Sequence, residues 1–559
     1  MKQKIVKDPL YGYISIDTDI FEEIIDTKYF QRLRRIEQTS MRCLYPSARH
    51  DRFVHSIGTY HLAKLAMDSL EKNLNNGEGF EIDDKKLEQF LPPATLKSIR
   101  FSFEMAALLH DIGHSPFSHT LEEYFRVKYV RELDEIKYYD ITEELLSEVK
   151  LVFTEMKKSE AEFKRFERAC RKANAAPHEI ASCIVALRCF KKTLKELANR
   201  RNITVDFDLM IRCILGALYS TEQVLTEQVK RESDYKNCII KLLNSSIDVD
   251  KLDYISRDSQ LSGFDNIKID TTRLLGSLIM ARYVNSEGTD AYCLAFRKSA
   301  LSVIQNVVTS RNSLYTWIYS HHKVKYEAYL TEKAIRLIAE RIIKEKVKNG
   351  EIEPSKAEQE EKLYISQLLS VDNIINGLVC DDTVWALFMQ YRLEIPEINE
   401  LITRNEQKKA VWKSFAEFQV LFNNTKSIPA LGSFSTEQME LFFSRSERDE
   451  EYQQELAEFQ AYLNLFDSTI EFELVVNKTK LAKIEHNSIL IHLNRKLYGF
   501  DIIFKDLHKN SNIPPFFYLY CDKAAKEKLN QNNKTDELIR YIKNYDRFRQ
   551  EPFDEVEKR

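Results

Sequence analysis

Histidine is concentrated in the first third of this chain, together with carboxylate residues that could bind a metal ion. Seven of the 12 histidines lie before residue 180. The densest string runs from His110 to His119, and it follows the apolar segment 99–109, which predicts a buried helix. Imidazole nitrogens and carboxylate oxygens both bind divalent transition metals. The adjacent pair His110 and Asp111, at the end of that helix, is therefore a candidate for two metal ligands.

Two ligands do not hold a cation alone, so the remaining ligands must come from other parts of the sequence. His55 lies in the string Arg52–Ser56, and Asp250 lies in an aspartate-rich segment, residues 247–258, that predicts a short helix. Two imidazoles and two carboxylates leave coordination positions open for water and substrate. Each residue alone is more often a core histidine, a helix cap or an exposed acid, but the combination favours a metal site. The predicted ligands are His55, His110, Asp111 and Asp250, and this set accepts Mn, Fe, Mg, Zn, Co or Ni.

Two segments carry polar and aromatic residues at helical spacing. Asp250, Tyr254 and Asp258 are four residues apart and therefore share one helix face. An amphipathic helix or core packing by the tyrosines would explain such a pattern. The alternative is a pocket in which a guanidinium binds phosphate and aromatic rings contact a sugar or a base. The same spacing recurs at Arg311, Tyr315 and Tyr319.

Five strings in the first part of the chain form an ordered set: Asp26–Arg34, Arg52–Gly58, Leu109–His119, Asp250–Asp258 and Arg311–Leu314. This set resembles the HD superfamily of phosphohydrolases and, more closely, the deoxyguanosine triphosphate triphosphohydrolase family. The resemblance covers roughly residues 1–330 and begins at the N-terminus, so we expect no sterile-alpha-motif domain of the kind that vertebrate members carry. It implies metal-dependent hydrolysis of a deoxynucleoside triphosphate to a deoxynucleoside and inorganic triphosphate, with room for a second magnesium ion that accompanies the nucleotide.

The resemblance also implies roles for residues around the metal ligands. His119 is the implied catalytic group beside the scissile bond, with His178 and Glu122 as relay or supporting groups and His114 as a neighbouring pocket residue. Glu122 stands where the family often has aspartate. The base preference stays open because Thr39, Tyr315 and Ser320 depart from the family's residues. The implied substrate-binding residues are Arg52, Lys251 and Arg311 for the triphosphate, Gln38 and Asp258 for the 3′-hydroxyl, and Tyr254, Tyr315 and Tyr319 near the sugar and base.

A regulatory site between subunits is the last implication of the resemblance. It implies a GTP or dGTP activator and a homo-oligomer, with a tetramer favoured over other assemblies. The residues that match the family's activator sites are Lys4, Ile5, Asp26, Gln31 and Arg34 for a first site, and Arg282 and Arg297 for a second. Ordinary side-chain pairs on a surface helix are the alternative explanation for the residues of the first site. At the second site, Ser299 and Trp317 stand where the family has lysine and arginine.

The elements that must position these residues are expected to be mainly helical. Only 13 glycines and 12 prolines occur among 559 residues, which favours long helices over a sandwich or barrel. Alternating patterns around Gly12 and around residues 285–288 predict two short β-hairpins. We predict an HD phosphohydrolase core at 1–348, a helical region at 349–465 and a smaller α+β lobe at 466–559. Within that lobe, strands are predicted at 470–476, 489–493, 500–504 and 516–520.

Composition limits the compartment and the partners. A net charge of −4 gives no indication of a nucleic-acid partner, although it does not exclude one. The nine cysteines include no CxxC pair, and the charged N-terminus lacks the apolar core of a signal peptide. No apolar run is long enough for a membrane span, so we expect a cytoplasmic protein without a membrane partner. Two alternatives stay open: another HD-type nucleotide phosphatase or phosphodiesterase, and a non-catalytic nucleotide sensor. The intact set of predicted ligands argues against the sensor.

Overall fold

The chain forms two compact units, each assembled from segments that are far apart in sequence. The first unit comprises Met1–Asn312, Ile335–Gln390 and Ala482–Asn510, and the second comprises Ser313–Ala334, Tyr391–Leu481 and Ser511–Arg559. The three consecutive domains predicted from the sequence do not coincide with these interleaved units. The computed structural model describes residues 2–39, 43–76, 87–132, 135–220, 226–264, 267–284, 288, 290–424, 434–446, 449–478, 488–494, 496–504, 513–531 and 533–549.

Four helices of the first unit carry or directly precede predicted site residues. They are α1 (Arg52–Asn75), α2 (Pro93–Leu109), α3 (Pro177–Val185) and α4 (Val249–Ser262), and α1 contacts both α2 and α4. The apolar segment predicted as a buried helix is the buried second half of α2. The first unit also contains helices at Thr18–Ile20, Lys28–Gln31, Leu87–Phe90, Ile141–Glu155, Glu160–Ala173, Lys191–Arg200, Phe207–Leu215, Glu227–Leu243, Thr271–Leu275, Ala357–Leu368, Val371–Gly377 and Phe500–Ile503.

A glycine permits the close approach of α1 and α4. A Cβ atom at Gly58 would lie 2.0 Å from Oδ1 of Asp253 and 2.5 Å from Nη2 of Arg257. A larger side chain at this position would have to displace the Asp253 carboxylate and the Arg257 guanidinium. The two helices can therefore bring their polar side chains into one buried cluster.

Helix α4 has well-defined ends that fix its first turn. The carboxylate of the N-cap residue Asp248 accepts a hydrogen bond from the backbone N–H of Lys251 at 2.8 Å. The helix ends at Gly263, which adopts the left-handed conformation with φ 76°. Asp250 lies in the first turn, where its position depends on this cap.

Four small sheets accompany the helices of the chain. In chain order the strands are β1 (Gln3–Asp8), β2 (Gly12–Asp17), β3 (Val127–Glu132), β4 (Glu135–Asp140), β5 (Leu278–Val284), β6 (Asp290–Arg297), β7 (Lys409–Ala410), β8 (Glu473–Asn477), β9 (Leu490–Leu493), β10 (Lys496–Gly499) and β11 (Phe516–Cys521). Strands β1 and β2 form one two-stranded sheet, and β3 and β4 form another. A four-stranded sheet has the order β10-β9-β6-β5, and a three-stranded sheet has the order β7-β11-β8. The pairing is antiparallel except between β6 and β9.

The second unit has its own aromatic core around the β7-β11-β8 sheet. Trp412 is fully buried there, and its indole N–H donates to the carbonyl oxygen of Phe517 at 2.7 Å. Phe443 and Phe459 pack against Phe517 with ring centroids 5.1 and 5.6 Å away. The helices that lie wholly in this unit are Pro396–Ile402, Phe415–Asn424, Thr436–Ser444, Glu450–Asn464, Lys523–Leu529 and Lys534–Lys543, while Leu301–Leu314 and His322–Lys348 contain residues of both units.

The structure confirms one of the predicted C-terminal strands and contradicts another. The strand predicted at 489–493 is β9 (Leu490–Leu493), which pairs with β6 through Phe296 and Ile491 and lies in the first unit. The segment predicted as a strand at 500–504 is the short helix Phe500–Ile503. The mainly α class and both hairpins are confirmed, although residues 285–287 of the second turn lie outside the described residues. Within the described part of the chain, no helix combines the length and the apolar character that crossing a bilayer requires.

Candidate active site

The four predicted metal ligands converge at one point in the first unit. Nε2 of His55 lies 3.0 Å from Oδ1 of Asp250 and 3.6 Å from Oδ2 of Asp111. Nε2 of His110 lies 3.3 Å from Nε2 of His55, 3.6 Å from Oδ1 of Asp111 and 3.7 Å from Oδ1 of Asp250. With bonds of about 2.1 Å, ligands at the octahedral and tetrahedral angles lie about 3.0 and 3.4 Å apart. The spacing therefore fits one shared divalent cation.

Hydrogen bonds on the far side of each imidazole orient its ring. Nδ1 of His55 lies 2.8 Å from Oδ2 of Asp253, and Nδ1 of His110 lies 2.9 Å from the carbonyl oxygen of Ala107. With each Nδ1–H donated outward, the Nε2 lone pairs are directed at the shared point, as in many metal sites. The residues present therefore fit a bound cation in orientation as well as in type.

Asp253 is itself held by a buried chain of charges that reaches the N-terminal hairpin. Arg257 donates to both of its carboxylate oxygens at 2.9 Å, and the hydroxyl of Tyr11 donates to Oδ1 at 2.9 Å. The third guanidinium nitrogen of Arg257 donates to Asp8, at the end of β1, at 2.9 Å. The orientation of His55 therefore depends on residues from both α4 and the hairpin.

When no cation is bound, a protonated imidazole offsets the negative charge of the carboxylates in this cluster. Burial lowers the pKa of His55, but the carboxylates of Asp250 and Asp253 outweigh it and raise the pKa to about 10. Burial raises the pKa of Asp111, but the charges of Arg52 and His110 hold it well below its usual range. A cation would therefore replace at least one proton on binding.

Arg52 connects the metal ligands to a second polar cluster. Its guanidinium donates to Oδ2 of Asp111 at 2.7 Å and to Oγ of Ser118 at 3.1 Å. Its Nη2 atom lies 3.5 Å from Nε2 of His119. The side chain is only 5% exposed, so this cation is fixed between the two groups.

The second cluster contains the four predicted catalytic residues. Oε2 of Glu122 lies 2.6 Å from Nδ1 of His178 and 3.2 Å from Nδ1 of His119. The ring of His114 stacks on that of His178, with centroids 4.5 Å apart. The side chain of His119 is 58% exposed, whereas His114 is fully buried. The arrangement leaves the His119 imidazole accessible while its Nδ1 faces a carboxylate.

Charge interactions set the protonation of this cluster. Burial lowers the pKa of His178, but Glu122 outweighs it and raises the pKa to about 9. Burial raises the pKa of Glu122, but His119 and His178 hold it far below its usual range. For His114, burial and the nearby charges of Arg52 and His178 hold the pKa well below its usual range. His178 and Glu122 are therefore an ion pair at neutral pH, with neutral His114 beside them.

Two of the predicted phosphate-binding residues, Lys251 and Arg311, contact side chains in or next to α4. Lys251 donates to Oδ2 of Asp248 at 2.6 Å, and Arg311 donates from Nε to the hydroxyl of Tyr254 at 3.3 Å. Burial lowers the pKa of Lys251, but the carboxylates of Asp248 and Asp250 outweigh it and raise it. Tyr315 and Tyr319 lie in the π-helical turn Tyr315–Tyr319 of the second unit, with ring centroids 5.0 Å apart.

A buried histidine that the sequence analysis did not select contacts the predicted sugar-binding pair. Nε2 of His50 lies 2.6 Å from Oδ1 of Asp258, and the carbonyl oxygen of His50 accepts from the backbone N–H of Gln38 at 3.1 Å. Oε1 of Gln38 is buried and has no hydrogen-bond partner among the described residues. The signal that could have identified His50 is its place in a charged string directly before Arg52.

The residues predicted for the first regulatory site lie on the N-terminal hairpin and the short helical segments after it. Nζ of Lys4 lies 3.6 Å from Oδ2 of Asp26, and Nε of Arg34 donates to Oε1 of Gln31 at 2.9 Å. Ile5 is 66% exposed on β1, as single apolar side chains on protein surfaces often are. The ion pair and the hydrogen bond also agree with ordinary surface pairing.

The residues predicted for the second regulatory site are both engaged within the four-stranded sheet region. Arg282 on β5 forms an ion pair with Asp290 on β6 at 2.5 Å. Arg297 donates to the carbonyl oxygen of Gly276 at 2.5 Å and lies 3.5 Å from Oδ1 of Asn73. Ordinary structural contacts therefore explain these two arginines without a ligand.

Comparisons with known proteins agree with this geometry. Residues 52–187 match the family model described as "HD domain". The chain is 27% identical over 323 residues to the uncharacterized protein MG461 of Mycoplasma genitalium, and this alignment covers 57% of each of the two chains. It is 26% identical over 328 residues to "Deoxynucleoside triphosphate triphosphohydrolase SAMHD1" of Danio rerio, covering 57% of this chain and 42% of that protein.

Solved structures share the fold of this chain at low sequence identity. A structure titled as a phosphohydrolase from Bacteroides thetaiotaomicron aligns with a TM-score of 0.51 and 17% identity, covering 93% of this chain and 100% of that chain. The chain matches little more than half the length of the first curated relatives. Residues 52–187 are therefore an HD domain, and the chain is homologous over part of its length to proteins named SAMHD1 deoxynucleoside triphosphate triphosphohydrolases.

Proposed function

We propose that this protein is a metal-dependent hydrolase that converts a deoxynucleoside triphosphate and water to a deoxynucleoside and inorganic triphosphate. The main support for this proposal is that His55, His110, Asp111 and Asp250 lie around one point, beside a second cluster that contains His119. Homology to proteins named deoxynucleoside triphosphate triphosphohydrolases supports the choice of substrate and of reaction.

Three cations support the binding of a triphosphate in this proposal. Arg52 is fixed against Asp111, and Lys251 lies close enough to both Asp250 and Arg311 for their charges to change its pKa. Guanidinium and ammonium groups bind phosphate oxygens through charge-assisted hydrogen bonds. Arg52, Lys251 and Arg311 would therefore neutralise and orient the phosphate chain beside the metal ligands.

The buried polar groups next to these cations suit a deoxyribose. The unpartnered Oε1 atom of Gln38 can accept a hydrogen bond from a 3′-hydroxyl, while Asp258 is held by His50. We assign Tyr254 to the sugar and Tyr315 and Tyr319 to the sugar and base. A buried 2′-hydroxyl without a partner would cost about 1–3 kcal/mol, which would favour deoxyribonucleotides over ribonucleotides.

The reaction needs a proton donor for the leaving oxygen. A bound divalent cation supplies Lewis-acid stabilisation of phosphate oxygens and lowers the pKa of a neighbouring water. Water attacks the α-phosphorus, the bond from phosphorus to the 5′-oxygen breaks, and His119 as general acid gives a proton to that oxygen. The proton that the attacking water loses returns, through solvent, to the His119 imidazole. Oε2 of Glu122 lies 3.2 Å from Nδ1 of His119, and the protonated His178 restrains Glu122 through the short contact of 2.6 Å.

Regulation and assembly form a further part of the proposal. A GTP or dGTP activator would bind at Lys4, Ile5, Asp26, Gln31 and Arg34, at an interface of a homo-oligomer that we expect to be a tetramer. Ile5 on β1 is exposed and would be accessible to a partner subunit. Sedimentation with and without dGTP tests this assembly, and a monomer under both conditions would contradict it. The unpaired cysteines of the described chain suit the reducing cytoplasm that we propose as its location.

Product analysis tests the proposed reaction. Purified protein with Mn²⁺ or Mg²⁺ would be incubated with each deoxynucleoside triphosphate, singly and in mixtures, and the products separated by ion-pair chromatography. We expect deoxynucleoside and triphosphate in equal amounts, and none from Asp111→Asn. A control is Asp208→Asn, which changes a buried, ion-paired aspartate that contacts Lys158 and Arg212 instead of the ligands. Orthophosphate or a linear nucleotide would indicate another HD-type phosphatase or phosphodiesterase, and no turnover would indicate a sensor.

A further inference from the structure

The loop between the metal ligand Asp111 and the exposed His119 contains two residues in an unfavourable backbone conformation. Phe117 and Ser118 have φ values of 53° and 52°, in the left-handed region that favours glycine. A bulky residue persists there only when surrounding contacts hold it in place. His119 follows directly, so the position of its imidazole depends on this turn.

A carboxylate from a distant part of the chain holds this turn. Oδ1 of Asp381 accepts the backbone N–H of Phe117 at 2.7 Å, and its Oδ2 accepts the backbone N–H of Glu37 at 2.9 Å. The hydroxyl of Ser118 donates to the carbonyl oxygen of Glu37. One carboxylate therefore ties the turn to the segment before α1, and Asp381 is only 5% exposed.

A buried arginine fixes the other end of the same loop to the same distant segment. The guanidinium of Arg32 donates to the carbonyl oxygens of Ile112 at 3.0 Å, His114 at 2.9 Å and Val379 at 2.7 Å. Val379 is two residues before Asp381. The segment 379–381 therefore holds the loop at both ends.

We propose that Asp381 is a positioning residue for His119, an inference that rests on the proposed hydrolysis. Asp381 begins α5 (Asp381–Tyr391) and lies outside the residues 52–187 that match the HD domain. Without its carboxylate, the buried N–H groups of Phe117 and Glu37 lose their acceptors and the left-handed turn relaxes. His119 then leaves its place beside Arg52 and Glu122, while the four metal ligands keep their own contacts.

The test compares Asp381→Asn with Asp382→Asn. Asp382 is the matched control because it is the next residue, is 62% exposed and pairs with Arg35 on the surface. We expect kcat of Asp381→Asn to fall about 10-fold to 100-fold, with KM and bound Mn²⁺ unchanged, because small displacements of a catalytic group have effects of this size. Asp382→Asn should behave as the wild type.

A double-variant cycle identifies the route of the effect. If Asp381 acts through His119, adding Asp381→Asn to His119→Gln should cause no further loss of kcat. A loss that multiplies in the double variant would overturn the proposal. Asp381→Glu, which keeps the charge but displaces the oxygens, serves if Asp381→Asn does not fold, and full kcat in that variant would also overturn it.

A chemical measurement tests the position of His119 without any substrate. Diethyl pyrocarbonate modifies accessible imidazoles, and mass spectrometry would follow the rate at His119 in each variant. We expect a several-fold change in Asp381→Asn and none in Asp382→Asn. An unchanged rate in Asp381→Asn would contradict the proposed positioning. If the wild type hydrolysed no deoxynucleoside triphosphate, the proposed function would fail, while this measurement would still decide whether Asp381 holds His119.

Discussion

Asp253 offers a perturbation that separates metal binding from general stability. Its carboxylate fixes the ring of His55 through a contact of 2.8 Å and accepts two hydrogen bonds from Arg257. The change Asp253→Asn removes the negative charge and replaces one acceptor oxygen with a donor. The His55 ring then loses the contact that directs its Nε2 toward the cluster.

Two free-energy losses follow from this change. Removing such an outer partner lowers metal affinity about 10-fold to 100-fold, which corresponds to about 1.4–2.7 kcal/mol. Breaking a buried ion pair costs about 3–5 kcal/mol of the free energy of unfolding. Arg257 keeps its ion pair with Asp8 at 2.9 Å, so we expect a value of about 3 kcal/mol.

Asp208→Asn is the matched control for the stability loss. Asp208 and Arg212 are also buried and four residues apart on one helix, but Asp208 contacts Lys158 instead of a predicted metal ligand. We expect urea unfolding of the metal-free proteins to show similar losses for the two variants. Only Asp253→Asn should bind Mn²⁺ more weakly in competition with a chelator.

Two outcomes would refute this reasoning. Equal weakening of Mn²⁺ binding in both variants would mean that affinity follows stability alone. Wild-type affinity in Asp253→Asn would mean that the contact does not orient His55. Tyr11→Phe is a milder companion, because it removes only the hydroxyl that donates to Asp253 at 2.9 Å, and should cost about 1 kcal/mol or less of binding free energy.

Three further predictions follow from the charges of the site. The affinity for Mn²⁺ should rise about tenfold per pH unit between pH 6.5 and 8.5, because the cation displaces a proton from His55, whose pKa is about 10 despite burial; calorimetric titrations showing no pH dependence would contradict this. Burial lowers the pKa of His178, but Glu122 raises it to about 9. The ion pair therefore stabilises the fold fully below about pH 6.5, and this stability is lost as the pH rises through 9. Urea unfolding midpoints of Glu122→Gln should lack this loss, and parallel pH profiles for the variant and the wild type would count against the ion pair. Lys251→Ala should raise KM for the deoxynucleoside triphosphate about tenfold or more, with bound Mn²⁺ unchanged. The control is Lys236→Ala, because Lys236 is also largely buried but pairs with Asp206 and Glu232. An equal rise of KM in Lys236→Ala would contradict a role of Lys251 in substrate binding.

The candidate metal ligands could be predicted from the sequence because their residue types carry the chemistry. The order of His55, His110-Asp111 and Asp250 is visible in the chain, and the structure brings all four together. The residues that orient them were not selected. Asp253 and Arg257 show only an ordinary helical i, i+4 spacing, and their link to Asp8 joins residues about 250 positions apart. Such long-range contacts leave no local pattern.

Strand type was easier to predict than strand partner. The apolar alternation at 489–493 correctly indicates a strand, but nothing local indicates that β9 pairs with β6, almost 200 residues earlier. The segment Phe500–Ile503 is too short for periodicity to separate a buried helix from a strand. The contacts of Asp381 could likewise not be predicted, because its two backbone partners are distant in sequence. In the sequence alone it is an ordinary acidic residue in the first turn of a helix.

The most direct test of the central claim is the destination of the water oxygen. The reaction would be run with a deoxynucleoside triphosphate in water labelled with oxygen-18, and both products analysed by mass spectrometry. Attack at the α-phosphorus predicts one heavy oxygen in the inorganic triphosphate and none in the deoxynucleoside. Heavy oxygen in orthophosphate, or in the hydroxyl of the nucleoside, would contradict the proposed hydrolysis at the α-phosphorus.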